Sequence, residues 1–232
     1  MRRLAATVSV LMAAGLTWAG DQTVDRHALR ARVLEQAPTL RATVLDLALS
    51  AYDRAVASGD VCRQRLTIID YELPSWTRRM WVIDVPTSTV LHHEWVAHGM
   101  GAPAGSGGDL EHLHSVSNRR GTRKSSVGLF LTAETYVGRH GRSLRLDGLE
   151  PGFNDAARDR AIVLHGADYV TAGRARDRLV GRSWGCPAVR PKIAQRLIDD
   201  IAGGSALWVY YPVRRWLTTS RFLVPTETGS SG

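Results

Sequence analysis

A cysteine in a glycine turn is the residue best suited to covalent chemistry in this 232-residue chain. Cys186 follows Ser183, Trp184 and Gly185 and precedes Pro187. A thiol must lose its proton before it attacks a carbonyl, and a neighbouring imidazole either acts as the base or forms an ion pair with the thiolate. The turn directs the backbone N–H groups of Trp184, Gly185 and Cys186 into one concavity, where they can hold an oxyanion. The sequence therefore predicts a cysteine nucleophile.

His165 is the base that the sequence predicts for this thiol. The apolar run at 161–164 predicts a strand, and His165 and Gly166 stand at its tip, 21 residues before the cysteine. A strand end holds an imidazole rigidly, and the glycine beside it lets another group approach closely. The residue types alone also fit a buried structural cysteine and a hydrogen-bonded structural histidine.

Two features affect the predicted state of the thiol. Arg182, Arg190 and Lys192 raise the local electrostatic potential, which favours the thiolate. Cys62 is the second of the two cysteines in the chain. In an oxidising compartment it could pair with Cys186, and a disulfide there would remove the nucleophile.

Longer stretches of the chain resemble a known enzyme family. His-Gly, followed about twenty residues later by Ser-x-Gly-Cys, resembles the signature of the L,D-transpeptidases (the YkuD-like family), which remodel peptidoglycan. The subgroup of murein L,D-transpeptidase catalytic domain proteins with a Ser-Trp-Gly-Cys-Pro motif is more similar still. The similarity covers residues 66–191, at positions 97–99, 117–118, 125–128, 132–136, 138–150, 165–170 and 181–188.

The resemblance implies both a fold and a reaction. The fold would be mainly β with a helical appendage (α+β), a catalytic domain of the L,D-transpeptidase β-sandwich or barrel type. Cys186 would attack the carbonyl of the diamino acid at the third position of a tetrapeptide stem. D-alanine would leave, and the acyl group would pass to an amine acceptor. No cofactor is implied.

The sequence departs from the family pattern at two positions. The family mostly carries Ser-His-Gly-Cys, and here Trp184 replaces that histidine. The family also carries arginine or asparagine two residues after the cysteine, where this chain has Ala188. His165 is then the only motif histidine, with a backbone carbonyl near Gly166 to orient its ring. The candidates for shaping the donor groove are His98, Ser125, Ser126, Tyr136 and Arg182, although ordinary packing explains each of them equally well.

Three alternatives to the transpeptidase remain open at this stage. An L,D-carboxypeptidase would use the same site with water as the acceptor. A non-catalytic peptidoglycan-binding protein would keep the fold without a reactive thiol. A zinc-dependent peptidase would use the histidines around a glycine-rich loop, but no cysteine or glutamate pattern at ligand spacing completes such a site, so no metal is predicted. These histidines are His92, His93, His98, His112 and His114.

The first 19 residues have the pattern of a secretory signal peptide. Arg2 and Arg3 precede an uncharged apolar run at 4–18, and Ala19 provides the small residue before the cleavage point. The run is shorter than the roughly 20 residues that a spanning helix needs, which makes an uncleaved anchor the weaker interpretation. We expect an exported protein, periplasmic or extracellular, with no stable membrane insertion after cleavage.

The formal net charge of +8 favours anionic partners, although a solvated basic surface is an equally good explanation. Export argues against nucleic acid. Peptidoglycan stem peptides are therefore the predicted partners.

Hydrophobic periodicity predicts the elements that position these residues. The pattern predicts helical structure over residues 25–58, divided into two helices at Pro38 because the proline ring cannot sit inside a continuous helix. A late helix is predicted at 192–201, and the strands are predicted at 66–71, 80–85, 90–96, 127–131, 161–164 and 206–211. We expect one domain at 20–225, with a helical layer at 20–60, a catalytic β core at 61–212 and a flexible tail at 226–232.

Overall fold

The computed structural model describes residues 25–100 and 110–224. The predicted signal peptide at 1–19 and the predicted tail at 226–232 lie outside the described residues. The predicted limits of the domain and of its two parts stay predictions. No helix among the described residues is both long and apolar enough to cross a membrane.

Two helices open the described chain, as the sequence predicts. Helix α1 spans Arg26–Gln36 and helix α2 spans Ala42–Ala57, with Pro38 in the connection between them. The side chain of Asp25 caps α1 by accepting hydrogen bonds from the backbone N–H groups of the first turn. The division at Pro38 is confirmed.

Eight strands within the described residues form one sheet. They are β1 (Arg63–Asp70), β2 (Met80–Asp84), β3 (Thr89–Glu94), β4 (Gly128–Gly138), β5 (Gly141–Gly148), β6 (Val163–Gly166), β7 (Ala188–Val189) and β8 (Ser205–Tyr210). Their order across the sheet is β3-β2-β1-β8-β4-β5-β6-β7, and only the β1–β8 and β6–β7 pairs are parallel.

The chain just beyond β3, the first strand in this order, contacts β7, the last strand. The backbone N–H of Ala97, just beyond β3, donates a 2.8 Å hydrogen bond to the carbonyl of Ala188 in β7. The sheet is therefore a nearly closed barrel, with helices α3 (Ala172–Arg176), α4 (Pro191–Ile201) and α5 (Arg214–Thr219) added to the first two. The predicted fold class, mainly β with helices, is confirmed.

Alternating side chains divide the core between the two faces of the sheet. Along β2, Trp81 packs in a cluster with residues of α1 and α2, whereas its neighbours Met80 and Val82 pack in a second cluster with α4. In β8, Trp208 joins the first cluster and Leu207 the second. This alternation follows from the two-residue repeat of a strand. The barrel therefore lies between a helical layer and α4.

Four elements were not predicted from periodicity. Strand β5 has only two buried leucines, Leu144 and Leu146, among charged and small residues, so its apolar signal is short. Helices α3 and α5 have five and six residues, and β7 has two. Elements this short carry too few periodic positions to be recognised in a sequence.

Candidate active site

Strands β6 and β7 bring the predicted base beside the predicted nucleophile. His165 in β6 pairs with Ala188 in β7, and the backbone N–H of His165 donates to the carbonyl of Pro187 at 3.3 Å. Cys186 comes one residue before that carbonyl. Parallel pairing of two short strands thus places the sequence-distant histidine next to the cysteine turn.

The ring of His165 is held by the carbonyl of its neighbour. Nδ1 lies 2.8 Å from the carbonyl oxygen of Gly166, so Nδ1 carries the proton and Nε2 is left as the acceptor. Burial lowers the pKa of His165, the bond to Gly166 opposes this, and His140 and Arg139 lower it further. The imidazole is therefore held neutral, as a general base requires.

The thiol of Cys186 lies against the start of β6. Its sulfur accepts the backbone N–H of Val163 at 3.5 Å and can donate its proton to the carbonyl of Ala161 at 3.6 Å. Burial raises the pKa of Cys186, while the hydrogen bond from Val163 and the charge of Arg160 lower it. Burial is the largest of these effects, so the pKa of Cys186 lies above that of an ordinary thiol and the protonated form is favoured.

The turn that carries the cysteine requires glycine. Gly185 has φ +118°, and a Cβ there would lie 2.8 Å from the carbonyl oxygen of Lys124. The Gly185 N–H donates to Ser183 Oγ at 3.1 Å, and Ser183 Oγ donates to the Cys186 carbonyl at 2.6 Å. The N–H of Gly185 is thus engaged inside the turn. Within 25–100 and 110–224, no oxygen accepts the N–H of Trp184 or Cys186, and the Cys186 N–H is directed at its own sulfur. These two N–H groups are therefore the candidate oxyanion donors.

His98 and Ser125 lie behind this turn. Ser125 Oγ accepts the N–H of Gly99 at 2.9 Å and donates to the Gly185 carbonyl at 3.3 Å. The His98 carbonyl accepts the N–H of Ser183 at 2.8 Å, and its Nδ1 accepts a hydrogen bond from the buried guanidinium of Arg79 at 2.7 Å. Both residues are buried and support the turn. Their predicted part in binding the donor stays a prediction.

The other three groove candidates are more widely spread. Ser126 Oγ donates to the Ser117 carbonyl at 2.9 Å. Tyr136 lies in β4 with the guanidinium of Arg145 4.6 Å from its ring centre. Arg182 is half-buried just before the cysteine turn. Substrate contact by these residues also stays a prediction.

Trp184 faces solvent. Its side chain is 65% exposed, and the guanidinium of Arg123 lies 4.3 Å from the centre of its ring. The residue that replaces the motif histidine is thus directed outwards.

Arg160 is a charged residue of the site that the sequence did not single out. Its guanidinium donates to the carbonyls of Ser117 and Lys124, both at 2.6 Å. Its charge acts on Cys186, whereas Arg190 is engaged by Glu94 in a two-pronged ion pair at 2.6 and 2.9 Å. Arg160 is therefore a cation that lowers the pKa of Cys186, and the predicted influence of Arg182, Arg190 and Lys192 on the thiolate stays a prediction. No sequence pattern marks Arg160, because its contacts come from distant segments.

The histidines considered for zinc are dispersed among the described residues. His92 pairs with Asp200 at 2.6 Å, and His93 stacks on Trp81 with ring centres 5.2 Å apart. The described ranges hold no group of three or more His, Cys, Asp or Glu side chains that could bind a metal ion.

The alternative of a disulfide is not realised. Both cysteines are free thiols. Cys62 is exposed beside Gly204, at the junction of β1 and β8, with its sulfur 3.9 Å from the Gly204 carbonyl. Around the nearly closed sheet, β2 and β3 lie between β1 and β7 on one side, and β8, β4, β5 and β6 lie between them on the other.

A model of the L,D-transpeptidase catalytic domain matches residues 36–210. The chain belongs to this family. The family prediction is confirmed, and the match covers helix α2, all eight strands and the His165–Cys186 site. Among curated proteins no match is found.

Solved structures similar to this family member include two L,D-transpeptidases. The one from Mycobacterium smegmatis is 15% identical, with 64% of this chain and 59% of that chain covered and a TM-score of 0.37. The one from Xylanimonas cellulosilytica is 15% identical, with 82% and 94% covered and a TM-score of 0.36. The chain thus spans about three fifths of the length of the mycobacterial protein.

Proposed function

We propose that this protein is a peptidoglycan L,D-transpeptidase with Cys186 as nucleophile and His165 as base. The observation that carries the proposal is the pairing of β6 with β7 in a chain of this family, which sets an oriented, neutral imidazole beside the cysteine turn. The substrate would be a tetrapeptide stem, and no cofactor takes part.

The first half of the reaction forms a thioester. His165 Nε2 takes the proton of the Cys186 thiol as the sulfur attacks the carbonyl of the diamino acid at the third stem position. The backbone N–H groups of Trp184 and Cys186 hold the oxyanion, and each such donor contributes about 3–4 kcal/mol to the transition state. When the tetrahedral intermediate collapses, the imidazolium gives its proton to the nitrogen of D-alanine, which leaves.

The second half transfers the acyl group. An amine of another stem attacks the thioester carbonyl while His165 accepts a proton from that amine. Collapse forms the new amide bond and releases the Cys186 sulfur, which regains its proton from the imidazolium. Water in place of the amine gives the carboxypeptidase outcome with the same residues.

The neutral resting pair favours general-base catalysis over a preformed ion pair. Burial disfavours charge on both partners, since it raises the pKa of Cys186 and lowers that of His165. The thiolate therefore forms as the carbonyl arrives, and the charge of Arg160 assists it.

We further propose that the protein acts outside the cytoplasmic membrane. The supporting features are the signal pattern of the first 19 residues and a substrate that belongs to the cell envelope. Nucleic acid has no part in this function.

Mass spectrometry of the mature protein with purified disaccharide-tetrapeptide tests the proposal. We expect loss of D-alanine and crosslinked dimers with the native protein, neither product with Cys186→Ala, and both with Cys62→Ser as the matched control. Loss of D-alanine without dimers would change the assignment to an L,D-carboxypeptidase. An active Cys186→Ala variant, or no change of substrate by the native protein, would overturn it.

A further inference from the structure

A second imidazole reaches the catalytic histidine from another part of the sheet. His140 stands in the two-residue turn between β4 and β5, and its ring is stacked on that of His165 with centres 4.3 Å apart and planes at 25°. The pairing of Ser143 in β5 with His165 in β6 brings the hairpin to this position.

The two contacts of His165 restrain different motions of its ring. The bond from Nδ1 to the Gly166 carbonyl fixes the direction in which one ring nitrogen points. The torsion that sets a histidine ring plane is broad, so one hydrogen bond leaves that plane free to swing. A parallel ring against one face restricts this swing, and together the two contacts determine where Nε2 points.

His140 also lies between the base and open space. A cavity of about 540 Å³ is lined by His140, Gly166, Tyr169 and neighbouring residues. His165 does not line it, and its side chain is buried, whereas His140 is exposed. The stacked ring therefore keeps water from one face of the base.

We propose that His140 is a positioning residue, which holds the His165 ring in its productive plane and shields it from the adjoining cavity. The proposal builds on the proposed function, because it assigns His165 as the base. His140 itself does not contact the reacting atoms.

The charges around His165 support this role. The groups that act on its ring are the Gly166 carbonyl, His140 and Arg139. Burial lowers the pKa of His165 most, and His140 and Arg139 lower it further. Removal of the His140 ring both hydrates His165 and deletes a group that lowers the pKa of His165, and each change raises that pKa.

Three variants separate stacking from charge. His140→Ala removes both, His140→Phe keeps an aromatic ring without charge, and His27→Ala removes an exposed histidine of α1 as a matched control. We expect His140→Ala to lower kcat for acylation of Cys186 on the order of tenfold with little change in KM. We expect His140→Phe to stay within about threefold of the native rate and His27→Ala to equal it.

A titration of the histidine rings by NMR gives a readout that needs no substrate. We expect the pKa of His165 to rise clearly in His140→Ala and by less in His140→Phe, and the acidic limb of kcat/KM to move to higher pH with it. A His140→Ala variant with the native rate and native titration would overturn the proposal, as would a His140→Phe variant as slow as His140→Ala. If the native protein fails to process tetrapeptide, the proposed function fails, and the titration still tests the stacking.

Discussion

The helical side and the catalytic edge of this barrel are held together by different forces. On the helical side, α1 and α2 bury apolar side chains such as Val33 and Leu45 against Trp81 and Trp208 of the sheet. At the catalytic edge, formed by residues 97–99, 124–126, β6 and 183–188, backbone and hydroxyl groups are joined by directional hydrogen bonds.

This difference predicts how each region responds to substitution. Apolar burial depends on area and volume, at roughly 1.5–3 kcal/mol for a large side chain, and it tolerates small shifts in position. Hydrogen bonds around a glycine turn depend on ångström-scale placement, and a small displacement near reacting groups has a large kinetic effect. Changes on the helical side should cost stability, and changes at the catalytic edge should cost activity.

Two histidines provide the largest expected contrast. We expect His165→Ala to lower the rate of Cys186 acylation on the order of a thousandfold, because the general base is lost. We expect His93→Ala, which removes a ring stacked on Trp81, to leave the rate unchanged and to lower the free energy of unfolding by about 1 kcal/mol. Acylation by mass spectrometry and unfolding in urea measure the two effects. Similar acylation rates for the two variants would contradict the expected difference between the catalytic edge and the helical side.

Two glycines with positive φ give the next contrast. Gly185→Ala places a methyl group against the Lys124 carbonyl, so we expect about a hundredfold loss of acylation because the turn must shift. Gly59 has φ +78° and open space around its Cβ position, so Gly59→Ala should cost about 1 kcal/mol of stability without loss of activity. Equal acylation by both variants would show that the turn has more freedom than the structure indicates.

Much of the framework could be predicted from the sequence, because apolar runs mark β1, β2, β6 and β8 directly. The Ser-Trp-Gly-Cys turn and the histidine at a strand tip could also be predicted, because each is recognised from residues that are adjacent in the sequence. The engagement of the Gly185 N–H by Ser183 Oγ could not be predicted, because it depends on backbone angles within the turn.

Residues that reach the site from turns between the strands were missed for a different reason. His140 lies on a hairpin whose second strand has a weak apolar signal, and Arg160 acts from the segment before β6. The contact of His140 with His165 follows from the register of β5 with β6, and the contacts of Arg160 follow from the packing of distant segments. The sequence pattern specifies neither. His140 lies in the stretch at 138–150 that resembles the family, but that resemblance did not predict its contact with His165.

A leucine of the helical side tests the other half of the comparison. Leu45 is fully buried in the cluster between α2 and the sheet. We expect Leu45→Ala to lower the free energy of unfolding by about 2–5 kcal/mol, through lost burial and the cavity left behind. Below the unfolding transition, kcat for acylation should equal that of the native protein. A fall in kcat without unfolding would mean that the helical layer positions the site.

Two arginines give the smallest and most specific contrast. Arg160 lowers the pKa of Cys186, so Arg160→Gln should raise that pKa and move the pH midpoint of Cys186 alkylation upwards. At a fixed neutral pH, alkylation should slow by about three- to tenfold. Arg30→Gln breaks an exposed ion pair with Asp46 on the helical side and should leave alkylation unchanged.

Arg160→Lys distinguishes charge from structural support. Lysine keeps the positive charge but loses the fork that joins the Ser117 and Lys124 carbonyls. If the positive charge acts on the thiol, the pH midpoint of Cys186 alkylation should stay near the native value in Arg160→Lys and should rise in Arg160→Gln. Peptide mapping of iodoacetamide-treated protein separates Cys186 from the exposed Cys62. If both variants shift the midpoint equally, Arg160 acts by holding 117–126 against the cysteine turn, and the charge is incidental.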